Sequence, residues 1–167
     1  MSEFVLMTDS SADLSQEMVQ ELGVTVLPLS FTIQGKVYRN YPDNREMDLP
    51  RFNAMPRAGE LATTSAVNVA EYTQAVEPIL QEKKDVLILA FSSGLSSTYQ
   101  ASVLAAEELR EKYPDRKIYT VDTLCASMGQ GLLVYLAVQE QRKGRSIEEV
   151  RDWAESTKLH LSHQFTV

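Results

Sequence analysis

Asp85-Val86-Leu87-Ile88-Leu89-Ala90-Phe91-Ser92-Ser93-Gly94-Leu95-Ser96-Ser97-Thr98 is the stretch on which the reading of this chain turns. Val86 to Phe91 is an unbroken apolar run, short enough for a strand and free of the alternation that a solvent-facing strand shows. Small polar residues follow at once, and Tyr99 to Lys112 is an alanine-rich stretch with strong helical character. A buried strand, a polar loop and a helix form the repeating unit of a parallel α/β sheet.

The same unit recurs outward from this point. Phe4-Val5-Leu6-Met7 reads as a short buried strand running into the loop Thr8-Asp9-Ser10-Ser11-Ala12-Asp13. Ser15 to Leu22 is helical, with Gly23 placed to stop it. Val24 to Ile33 reads as a second strand, continuous except for Pro28, which favours an edge position or a bulge. Gln34-Gly35 is a turn, and Lys36-Val37-Tyr38 returns as a hairpin arm. Asn40 to Ala62 carries Pro42, Pro50, Pro56 and Gly59 and reads as a loop-rich insertion with one short helix near Pro50 to Met55. Thr63-Thr64-Ser65 precedes a helix that starts at the capping box Asn68-x-x-Glu71 and runs to about Gln81. Lys117 to Val121 is a further strand ending at Asp122-Thr123. Ala126 to Arg142 is a long helix closed by Gly144, and Ser146-x-x-Glu149 caps a last helix. Leu159 to Val167 reads as the start of another strand.

Strands alternating with helices imply right-handed crossovers, hence a three-layer, Rossmann-like α/β domain with a mainly parallel sheet and helices on both faces. Ligands of such sheets bind beyond the carboxyl ends of the strands. Thr8 to Ser11, Ser92 to Thr98 and Asp122-Thr123 fall there. Their hydroxyls, backbone N–H groups and helix dipoles favour a small anion. N-capping alone explains single Ser or Thr residues before helices, but Ser92 to Thr98 is longer than a cap requires.

Composition narrows the function. The 167 residues suffice for one domain, and 44% hydrophobic with 23% charged residues excludes a disordered chain. The net charge of −7 argues against nucleic acid as a partner. Phe4 to Met7 is too short for a signal or membrane segment. A single cysteine, Cys125, forbids an intrachain disulfide and fits a reducing, cytoplasmic setting, with the thiol structural and buried. No P-loop or dinucleotide fingerprint is present, since Gly129-Gln130-Gly131 lacks the third glycine and comes late, so no cofactor is expected. Gly94-Leu95-Ser96 resembles the first half of a nucleophile elbow, but a Ser96 nucleophile needs a base, and the only histidines are His160 and His163. These two, three apart without a third ligand, do not make a metal site. Asp9 and Asp13 lack the Asp-x-Asp spacing of metal-dependent phosphatases. Asp9 instead suits a role ordering its own loop.

The residues together resemble the DegV family of FakB-type fatty-acid-binding proteins. The resemblance runs through Thr8-Asp9-Ser10-Ser11-Ala12-Asp13-Leu14, Val26-Leu27-Pro28-Leu29, Gly35-Lys36-Val37-Tyr38 and Thr64-Ser65. It continues through Ser92-Ser93-Gly94-Leu95-Ser96-Ser97-Thr98-Tyr99, Val121-Asp122-Thr123 and Ala126-Ser127-Met128-Gly129-Gln130-Gly131. It implies a non-catalytic carrier that holds one long-chain fatty acid, its carboxylate on loop hydroxyls, and presents it to a fatty acid kinase for acyl-phosphate formation. Thr64 and Ser96 correspond to the family's hydroxyl ligands, with Ser65, Ser92 and Ser93 beside them. The alternative is a small hydrolase or phosphatase acting through Ser96 or the Asp9 loop.

Two departures stand out. Ala66-Val67 follows Thr64-Ser65 where the family has Gln-Pro, and Ser97 replaces a glycine. The resemblance also implies a second domain beyond the C-terminal residues, so residues 1–167 are expected to be the first domain of a two-domain clamp. Each enclosed CH2 of an acyl chain contributes about 0.8 kcal/mol, against about 0.5–1.5 kcal/mol for a hydroxyl bond. The tunnel wall therefore dominates affinity. A domain lacking it is expected to self-associate through the exposed ligand face or to bind acids weakly.

Overall fold

A computed structural model describes residues 3–57, 59 and 61–164. Its larger sheet has the order β2-β1-β6-β7, built from β1 (Phe4–Asp9), β2 (Thr25–Leu27), β6 (Asp85–Ala90) and β7 (Ile118–Asp122), with every neighbouring pair parallel. β6 is central and each of its residues is buried, which is why its sequence shows no alternation. The strand's twofold period sorts its side chains into two layers. Leu87 and Leu89 join Leu6 and Val121 beneath α1 (Gln16–Leu22), α5 (Ser127–Arg142) and α6 (Ile147–Thr157), where Trp153 also packs. Val86, Ile88 and Ala90 point the other way, to Tyr72, Val76 and Leu80 of α3 (Val69–Gln81) and Ala105, Ala106 and Leu109 of α4 (Thr98–Lys112). The three-layer expectation holds.

Helix ends follow the sequence signals closely. Ser15 accepts the Met18 amide, and Gly23 closes α1 at φ 70°. Asn68 with Glu71 and Ser146 with Glu149 form complete capping boxes.

The segment read as one strand from Val24 to Ile33 is two. β2 stays in the parallel sheet, whereas β3 (Ser30–Ile33) is the centre of a second, antiparallel sheet, flanked by β4 (Lys36–Arg39) and β5 (Thr63–Ser65). Pro28 has no N–H for a ladder, and the neighbouring Leu29 turns its amide to Ser10 Oγ (2.9 Å) and its carbonyl to the Asn40 amide (2.8 Å). β4 is the expected hairpin arm. Its turn residues Gln34 and Gly35 both have positive φ, 52° and 74°, as the tight turn between right-twisted strands requires. Thr63-Thr64-Ser65, expected only to lead into a helix, is β5, with Thr64 in register with Phe31. α2 (Leu49–Arg57) is longer than the expected helix. Phe52 of α2 joins Phe31, Ile33, Tyr38 and Met47 in a small separate core, with its ring edge-on to Phe31 at 5.1 Å.

Two further boundaries move. β1 continues to Asp9 rather than ending at Met7, because the Thr8 hydroxyl donates to Leu89 O (2.7 Å) and lets a polar side chain remain fully buried in the strand. The strand expected from Leu159 onward begins instead as a 3-10 turn at Lys158–His160 and continues without regular structure to Gln164; its remainder, residues 165–167, lies outside the described residues.

Candidate functional site

Three loops leave the carboxyl ends of β1, β6 and β7, as the strand-end rule requires. The loop after β6 is shaped by its own amides. Phe91 N donates to Asp9 Oδ2 (2.8 Å), Ser92 N to Cys125 O (3.2 Å) and Ser93 N to Asp122 Oδ1 (3.1 Å). Gly94 N donates to Ser92 Oγ (3.2 Å), Leu95 N and Ser96 N to Ser92 O (3.0 and 3.1 Å), and Thr98 N to Ser96 Oγ (3.2 Å). The sequence led us to expect these amides to face an anion. They are engaged within the fold, and what the loop presents outward is hydroxyls.

Those hydroxyls differ in access. Ser93 and Ser97 are exposed, Ser96 is half-buried with its Oγ 2.9 Å from Thr98 Oγ1, and Ser92 is turned inward. Thr64 and Ser65 are exposed on β5, an edge strand of the second sheet. The two groups therefore stand on different sheets, which Ser10 ties together through its bond to Leu29 at the entry to β3. An open groove of about 610 Å³ lies between α1 and the segment after β4, lined by Ser10, Asp13, Leu14, Val26, Tyr41 and Leu49 among others. Neither Thr64 nor Ser96 lines it.

Beneath the loop lies a buried polar network that sequence reasoning did not find. Asp9, fully buried, accepts from the Phe91 and Ser11 amides and contacts Ser11 Oγ. Ser11 Oγ donates to Gln130 Oε1 (2.7 Å), and Gln130 Nε2 donates to Thr8 Oγ1 (3.0 Å). Burial pushes the Asp9 carboxyl above the usual carboxylate range, against the opposing effect of its bonds from Ser11 and Phe91. On α3, the buried Tyr72 hydroxyl has no hydrogen-bond partner among the described residues, and burial is the chief cause that raises its pKa. Gly129 and Gly131 flank Gln130 because bulk is forbidden there: a Cβ at Gly131 would lie 2.6 Å from Ala12 O, and one at Gly129 would meet the His163 ring. The Gly-Gln-Gly spacing was the available signal for this close approach.

Ser96 Oγ is hydrogen-bonded to Thr98 Oγ1 and accepts the Thr98 amide, and His160 Nδ1 lies 2.8 Å from Ser156 O. Cys125 is buried, and burial raises its pKa. Among the described residues no group of three or more metal-ligating side chains is suited to hold an ion, and no helix is long and apolar enough to cross a membrane.

Known proteins resemble this chain in sequence and fold. A family model described as "Uncharacterised protein, DegV family" matches residues 3–167. A DegV domain-containing protein of Clostridium perfringens is 43% identical over 167 residues, covering all of this chain and 57% of the relative. A Thermus thermophilus structure, described as fatty acid binding of a DegV family protein, superposes with a TM-score of 0.82 at 33% identity, covering 95% of this chain and 54% of that one. A Thermotoga maritima protein whose structure is said to reveal fatty acid binding function gives 0.81 at 27% identity, over 93% and 55%. The chain thus spans about half the length of the relatives it matches.

Proposed function

The chain belongs to the DegV family, and from that premise we propose that it binds a long-chain fatty acid and serves as a non-catalytic carrier. The hydroxyls of Thr64, Ser65, Ser93 and Ser96 hold the carboxylate, and Ser92 shapes the loop that carries two of them. One observation carries this reading: the loop after β6 spends its amides on its own fold and leaves serine hydroxyls at the carboxyl edge of the sheet. The fatty acid binding described for the Thermus thermophilus relative supports the choice of acid. Presentation of the acid to a fatty acid kinase, and self-association through the exposed ligand face, belong to the same proposal.

The test is extraction of the purified protein with solvent and mass spectrometry of co-purified acids, followed by calorimetric titration of the delipidated chain with palmitate. Ser96→Ala and Thr64→Ala should each weaken binding by about 1.5 kcal/mol, roughly tenfold, as loss of a hydroxyl bond to a charged group does. Absence of both co-purified acid and measurable heat would overturn the proposal. So would turnover of a chromogenic ester that disappears in Ser96→Ala.

A further inference from the structure

The network under the loop is short of one proton. Four close polar contacts run in a line: Leu89 O to Thr8 Oγ1 (2.7 Å), Thr8 Oγ1 to Gln130 Nε2 (3.0 Å), Gln130 Oε1 to Ser11 Oγ (2.7 Å), and Ser11 Oγ to Asp9 Oδ1. Each contact needs a proton between its two heavy atoms. Thr8 supplies one, the Gln130 amide one toward Thr8, and Ser11 one. Ser11 has a single proton and faces two acceptors, Gln130 Oε1 and Asp9 Oδ1. Flipping the Gln130 amide does not help, because the Thr8 hydroxyl would then face two oxygens with one proton. The line closes only if Asp9 brings a proton of its own.

We propose that Asp9 is a neutral carboxylic acid in the folded chain, donating from Oδ1 to Ser11 Oγ, and that it is a positioning residue which sets the hydroxyl loop over an uncharged floor. Its other oxygen accepts the Phe91 amide, one residue from Ser92. An ionised Asp9 at that position would repel a bound carboxylate through a low-dielectric interior. The groups around it do not supply a compensating cation. α3 presents Tyr72, with Glu71 beside it; α5 presents the neutral Gln130, whose side chain also hydrogen-bonds the Asp9 carboxyl. Asp13, just after a 3-10 turn at Ser10–Ala12, is bonded to Ser127, and Asp122, at the end of β7, accepts the Ser93 and Leu124 amides. Among the described residues Asp9 has no salt-bridge partner. The neutrality of Asp9 stands on the geometry alone; its role under a bound acid rests on the fatty-acid reading.

The experiment is a carbon NMR titration of the wild-type chain labelled at the aspartate carboxyls, with Asp9 assigned by loss of its signal in Asp9→Asn, or by the perturbation of that signal in Ser11→Ala should the first variant fail to fold. Asp9 is expected to keep the chemical shift of a protonated carboxyl at pH 7. An Asp9 signal that titrates with the exposed aspartates in the acid range would overturn the assignment. Asn at this position can donate to Ser11 Oγ and accept from Phe91, but its Nδ2 cannot accept the Ser11 amide that Asp9 Oδ1 takes, so Asp9→Asn should weaken palmitate affinity at pH 7 by about two- to tenfold, the loss of one neutral hydrogen bond. Severalfold tightening would show that a charge had been removed, and loss of binding by the folded variant would show that the proton is not what the loop needs. Either result would overturn the uncharged floor. If the wild type binds no palmitate, the fatty-acid reading fails while the titration still decides the state of Asp9.

Discussion

Gly131 has no side chain because the carbonyl oxygen of Ala12 occupies the space one would take. A helix interior favours alanine over glycine by about 1 kcal/mol, so the sequence forgoes helix stability to bring the loop after β1 against α5. Gly131→Ala should therefore destabilise the fold by roughly 1–3 kcal/mol in a urea melt, since the obstacle is backbone and cannot rotate away. Gly129→Ala meets a histidine side chain instead. It should cost less and free residues 161–164 from α5, seen as faster amide exchange there. Asp9 makes its own prediction at this scale. Its folded pKa lies above the ordinary 3.8, so between that value and its raised midpoint the native state binds the extra proton. Stability from this group is complete below the lower limit and is lost as pH rises through the upper one. The stability difference between wild type and Asp9→Asn should thus shift in favour of the wild type on acidification from neutral pH. A difference independent of pH would show that the two states of the chain titrate Asp9 alike.

At the scale of elements, the capping boxes of α3 and α6 are the clearest local commitments. Asn68→Ala should cost about 1 kcal/mol, and Ser146→Ala a similar amount, by thermal or urea denaturation. These ends were legible because a cap is written in four consecutive residues. β6 was legible for a related reason: burial on both faces leaves a continuous apolar run. β5 was not, because all three of its residues are exposed, and a strand without a buried face has no hydrophobic period to read. Pro28 marked a break but not its direction, which depends on Ser10 capturing the Leu29 amide from 19 positions away. The candidate site was legible only as hydroxyl-bearing motifs. The network beneath it joins Ser11 to Gln130 across 119 positions, and no local pattern encodes such a pairing.

Over the whole molecule, the two helical layers differ in what they leave uncovered. α5 buries Leu133, Val134, Ala137 and Val138 against the sheet, yet Met128, Leu132 and Tyr135 are exposed at 56%, 43% and 39%. Their spacing places them along one side of the helix, and Leu124, just before it, is exposed as well. An apolar stripe of this kind on a chain of net charge −7 favours association through that side over general aggregation. Sedimentation velocity should show a concentration-dependent dimer that Leu132→Glu dissociates. A dimer that Leu132→Glu leaves intact would put the association at the ligand face instead of the α5 stripe, and a monomer across the accessible range would remove self-association from the proposal.

Trp153, the chain's one tryptophan, packs against the layer formed by α1, α5 and α6, and that placement gives the protein an optical reporter with a known address. Its emission follows the solvation of one layer, while far-ultraviolet dichroism averages over every helix, including α3 and α4 on the opposite side. The four-stranded sheet is shared by both layers, so the two signals should trace a single unfolding curve if the sheet couples them. Fluorescence that moves first would mean that the layer bearing α5 and Gln130 peels away as a unit, uncovering the Asp9 network before the rest of the chain unfolds.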